Sequence, residues 1–167
     1  MTSKEIKPGC CPFHSQPFAE QFTLWAVRLW VQAFSDETTA DEILLDAFTR
    51  AGVPHGYDRL DDLMSIISCG AARTIRINDP CTSVISADEK SILRILARIQ
   101  LGDSYDPSSD LQSFLKPSGA RVAGEKARAF ASALMAGQIQ LSASERLSFD
   151  GIGSRLLGSA PGSQLIH

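Results

Sequence analysis

No run in the 167-residue chain reaches the roughly 20 consecutive apolar residues of a membrane-spanning helix. The nearest approach, Phe18 to Phe34, is interrupted by Glu20, Gln21, Arg28 and Gln32. The opening stretch MTSKEIKPGCCPFH carries charge but no apolar h-region, so a secretory signal is not expected there. Basic excess is lacking too. Sixteen Lys and Arg face 19 Asp and Glu, a formal net charge of -3, which argues against a dominant nucleic-acid surface. Four cysteines in a chain of this length do not make a small disulfide scaffold, and none form a Cys-x-x-Cys redox pair. The motifs of zinc proteases, di-metal carboxylate sites, calcium loops, phosphate loops and dinucleotide folds are all absent. The expectation is a soluble, cytoplasmic protein with no cofactor and no assigned catalytic residue.

What is present is helix grammar. Apolar residues make up 44% and charged residues 21%, close to an ordinary globular composition, so one substantial core is expected. Phe18 to Phe34 reads as a helix with almost no wet face. Phe18, Ala19, Phe22, Ala26, Leu29, Trp30, Ala33 and Phe34 share one broad arc, and Gln21, Arg28 and Gln32 form a polar stripe. Thr39 with Glu42 fits a capping box ahead of a second helix, which Gly52 and Pro54 stop. Asp58 is placed to cap a third, carrying Leu60, Leu63, Met64 and Ile67 inward until Gly70. Ser86 with Glu89 opens a fourth that closes at Gly102, and Asp106-Pro107 opens a short fifth. An alanine-rich helix spans Gly119 to Ala136, where small side chains let neighbours approach. Ser142 with Glu145 starts a last helix that Gly151 and Gly153 weaken.

One stretch breaks the pattern. Ala71 to Ile85 is rich in β-branched residues around an Asn78-Asp79-Pro80 turn, which suggests a small β-hairpin near residues 73–85, with an irregular loop as the alternative. The expected fold is therefore all-α or predominantly α. It comprises an N-terminal arm (1–14), a helical domain of six or seven helices (15–158) and a C-terminal tail (159–167).

Candidate functional residues are few. Cys10, Cys11 and His14 hold soft metal-ligand chemistry, although adjacent cysteines do not match the separated pairs of structural zinc. Cys69, Cys81 or His55 would have to complete such a shell from a distance. His55 by itself has no local partner for a catalytic dyad. Leu24, Trp25 and Arg28 lie where a surface helix is normally wet, and are the candidate interface. Trp30 and Phe34 are assigned to the core. The function expected is a non-enzymatic interaction or regulatory role through an apolar aromatic surface, with a protein partner or a homo-oligomer. The alternative is a winged-helix-like DNA-associated regulator. Helices 39–51 and 58–69 would precede the hairpin as a wing, and Arg59, Arg73 and Arg76 would contact phosphate. A small metal-dependent enzyme is the third reading.

Overall fold

A computed structural model of the chain describes residues 13–36, 40–102 and 104–142. A single 3-10 turn, Phe13–Ser15, leads into six α-helices: α1 (Phe18–Asp36), α2 (Ala40–Arg50), α3 (Gly56–Gly70), α4 (Ala87–Leu101), α5 (Pro107–Leu111) and α6 (Pro117–Ala136). Among the described residues there is no β-strand, only an isolated bridge between Ala71 and Leu115. The result is a compact all-helical domain.

Local signals set most of the helix ends. Gly52 adopts a left-handed φ of 76° after α2, which glycine reaches without Cβ strain. At α4 the capping box forms in full: Glu89 N–H donates to Ser86 Oγ, and Ser86 N–H donates to Glu89 Oε2. Asp106 caps α5 by accepting from Ser108 N–H, with Pro107 in the first turn. The start of α3 departs from expectation. The helix begins at Gly56, with His55 at the cap position making no side-chain bond, and Asp58 sits inside the first turn. There Asp58 complements the helix dipole instead of capping. Thr39, and the helix expected after Ser142, lie outside the described residues.

The alanine-rich helix α6 is the central post. Ala120, Ala123, Ala127 and Ala131 are buried with Phe130 and Leu134. Small side chains let α3, α4 and α5 all pack on it. At the α3–α6 crossing, a Cβ built on Gly119 would lie 3.6 Å from Gly70 Cα, so the two backbones nearly touch.

The hairpin does not form. The segment from Ala71 to Ile85 directs its backbone groups to side chains instead of to itself. Arg28 Nη1 donates to Thr82 O (2.6 Å) and Nη2 to Val84 O (2.7 Å). Asn78 N–H donates to Glu89 Oε1 (2.9 Å), and Arg76 N–H to Asp88 Oδ2 (2.7 Å). Ser83 O accepts from Phe13 N–H. At the centre Arg28 Nε meets Glu89 Oε1 at 2.7 Å, and both side chains are fully shielded from solvent. A strand ladder would have taken these backbone groups for itself. A buried ion pair is stable only when its remaining donors and acceptors are satisfied, and this loop satisfies them.

Candidate functional site

The pairing of Arg28 turns α1 on its axis. Its buried face comprises Ala19, Glu20, Thr23, Leu24, Ala26, Val27, Arg28 and Trp30. That is roughly a quarter turn from the arc expected from apolar residues alone, at about 100° per residue. Two of the three candidate interface residues are thereby corrected. Leu24 and Arg28 are each 1% exposed and face the core. Trp25 is half-buried, with its ring 6.1 Å from Phe22. Phe34, assigned to the core from sequence, is instead 74% exposed.

Aromatic surface collects at both ends of α1. At the start, Phe18 is 69% exposed and stacks on Phe22 (centroids 5.8 Å apart), which meets Phe48 of α2 edge-on at 5.2 Å. Near the end, Phe34 lies flat on Trp30, with centroids 5.5 Å apart and planes 11° from parallel. The Trp30 indole N–H donates to Asp61 Oδ1 at 2.8 Å, so the platform beneath Phe34 is pinned to α3. Sixteen residues separate Phe18 from Phe34, or about 24 Å of helix rise.

Beside Phe34 lies an open groove of about 250 Å³. Trp30, Val31 and Phe34 form one wall, Met64 and Ile67 of α3 another, and Ile75 and Ile77 of the loop a third, with Ile92 of α4 also lining it. Ser68, Arg73 and Thr74 are its polar lining residues. Arg73 is held within the fold: Nη2 donates to Asp88 Oδ1 (2.7 Å), Nη1 to Asp88 Oδ2 (3.0 Å) and Nε to Ser113 O (2.8 Å). The Arg73 hydrogen bond holds the Asp88 carboxyl below the usual range against the opposing effect of burial, and the Arg76 N–H adds to it. Behind α2, burial pushes the Tyr57 hydroxyl up to about 12, with Asp41 adding to the shift.

The other candidates do not converge. Arg59 stands on α3 beside Asp62, 3.9 Å away, on a helix whose outer face also carries Asp58 and Asp61. Arg73 is occupied as described, and Arg76 is exposed on the loop. The wing that would unite them is absent. Cys10 and Cys11 lie outside the described residues. His14 is exposed, 5.3 Å from the Phe13 ring. Cys81, two residues from the Ser83 carbonyl that anchors Phe13, is exposed near the start of the described chain. His55 and Cys69 stand at opposite ends of α3, about 20 Å apart by helix rise. Among the described residues, no three His, Cys, Asp or Glu side chains gather as a metal site.

Sequence reasoning missed Phe34, Ile75 and Ile77 as one surface. A partial signal was available: the apolar, β-branched 74–77 stretch needed a helix to lie against, and Phe34 falls at the end of α1, where burial is hardest to complete.

The fold and this surface define an all-helical domain with exposed aromatic side chains suited to protein binding, and no described helix is long and apolar enough to cross a membrane. Comparison with family models, curated proteins and solved structures finds no match for the chain.

Proposed function

We propose that this domain binds an apolar helical segment of a partner protein in the groove beside Phe34. The observation that carries the reading is Phe34 itself, a phenylalanine 74% exposed on a pinned Trp30 platform at the lip of an apolar groove. Aromatic anchors of this kind dominate binding energy once a partner desolvates them. The groove's size favours side chains over a metabolite. Its volume of about 250 Å³ falls below the roughly 300–1,000 Å³ usual for small-molecule sites. Its lining also lacks a converging set of polar groups. An amphipathic helix, offering apolar residues at i, i+3 or i+4, and i+7, matches a groove walled by two helices. Arg73 and Asp88 beside the loop, and Asp61 behind Trp30, provide a polar rim. Trp25, on the opposite side of α1, extends the aromatic surface without reaching this groove.

The test uses a displayed library of random peptides selected on the wild-type chain and counter-screened on Phe34→Ser. Because Phe34 is exposed, the substitution should change stability by only about 0.5 kcal/mol. Enriched peptides should carry helix-spaced apolar residues and lose about tenfold or more in affinity for Phe34→Ser. Peptides that bind both proteins equally, or no enrichment at all, would sink the proposal. A Phe34-dependent dimer of the chain itself would replace the partner with a second copy.

A further inference from the structure

Glu20 is a core carboxylate that no cation pairs with among the described residues. It is 2% exposed, and its Oε1 accepts both the N–H (2.7 Å) and the hydroxyl of Ser142. Its Oε2 is buried without a hydrogen-bond partner, as is Thr23 Oγ1 one turn along α1. An unsatisfied buried carboxylate oxygen is costly, so each such atom points to a missing donor.

The chain itself leads a donor there. After α6, the side chain of Gln100 grips the returning backbone. Its Nε2 donates to Ile139 O (3.1 Å), and its Oε1 accepts from Leu141 N–H (2.7 Å). Leu141 is buried, and Ser142, the last described residue, arrives at Glu20 in the first turn of α1. The next residues read Ala143-Ser144-Glu145-Arg146-Leu147-Ser148-Phe149-Asp150. With Ser142 they make a capping-box start followed by apolar residues. The first amides of a helix have no partner inside it, and they favour a carboxylate. A few ångströms along α1 from Glu20 stands Phe18, 69% exposed and stacked on Phe22.

We propose that residues 143–150 continue from Ser142 as a short helix whose first amides face Glu20 Oε2 and whose Leu147 covers the Phe18–Phe22 end of α1. The chain thereby closes one of its two aromatic surfaces with its own C-terminal segment and leaves the groove beside Phe34 open to a partner. These residues are separate from the groove, so the fate of either proposal leaves the other standing.

Hydrogen exchange by mass spectrometry on the full chain tests it. In the wild type, amides 143–150 should exchange about tenfold or more slowly than an unstructured segment. Leu147→Asp lies beyond the described fold, and Phe18→Ser alters an exposed side chain, so both proteins should fold. Each should release the protection of 143–150, and Leu147→Asp should also speed exchange in the first turns of α1. Peptides covering residues 64–77 at the groove should be unchanged. Glu20→Gln, which keeps the acceptor of the Ser142 bonds but removes the charge, should weaken the 143–150 protection severalfold. Free exchange of 143–150 in the wild type overturns the proposal. So does protection that neither Leu147→Asp nor Phe18→Ser alters. Protection that grows with protein concentration overturns it in favour of a segment donated by a second copy.

Discussion

Arg28 carries more of this structure than any other single side chain. Its guanidinium joins helices α1 and α4 through Glu89, receives the carbonyls of Thr82 and Val84, and lies 4.9 Å from the Phe13 ring. Glu89 answers with contacts of its own, accepting from Asn78 and Ser86 while it serves the α4 cap. A buried pair of this kind adds little net stability over an apolar pair, but removing one partner strands the other. Arg28→Met should therefore cost about 3–5 kcal/mol in urea unfolding, with hydrogen exchange rising first in residues 78–84. A cost under about 1 kcal/mol would mean that water or a rearranged loop replaces the guanidinium, and that the pair does not organise the segment. Gly56 makes a quieter contribution at the same scale. A Cβ there would stand 2.3 Å from the Phe48 ring, so the tight α2–α3 turn depends on its absence.

Among the elements, α1 and the 71–85 segment depend on one another. The helix presents a mixed polar and apolar face inward because the segment supplies partners for Arg28. The segment in turn stays out of a hairpin because its backbone groups are engaged by Arg28, Asp88 and Glu89. Asp88 fastens the outer half of this arrangement to Arg73 and to the Arg76 amide. Its pKa is depressed in the folded chain, chiefly by the Arg73 hydrogen bond. The stabilisation it gives is thus present above the unfolded carboxyl value of about 3.9 and is lost as pH falls through the lower folded value. Thermal melts of the wild type and Asp88→Asn should differ near neutrality, in favour of the wild type, and converge in strong acid. A difference that persists unchanged below about pH 2 would remove Asp88 ionisation as its source.

For the whole molecule, the core closes within one chain. Helix α6 is surrounded by α3, α4 and α5, and α1 joins through α2, α3 and α4. No described core helix waits for a second subunit to cover its buried face. The melting temperature of the isolated chain should therefore be independent of protein concentration, since only a folded state that is an oligomer shifts with mass action. A melting point that climbs with concentration would show that a dimer is the folded unit, and would move the aromatic surface from partner binding to self-assembly.

Much of this fold was legible from residue order because its signals are local. The full capping box at Ser86 and Glu89, Asp106-Pro107, the left-handed Gly52 and the alanines of α6 each act over one or two turns. Helix count and class follow from them. The candidate surface was legible only in part. Both tryptophans and the unusual apolar content of Phe18 to Phe34 marked α1 as the element to watch. Which face it shows could not be read from hydrophobicity, because that pattern places charged residues outside. Glu20 and Arg28 are inside because Ser142 and Glu89, 122 and 61 residues away along the chain, meet them there. Once those charges are buried, the helix turns, Leu24 leaves the surface and Phe34 enters it. The sequence by itself determined the helices, through short-range capping and periodicity. Only the tertiary structure decided which side of α1 faces water, because that choice rests on polar partners that folding brings together from distant parts of the chain.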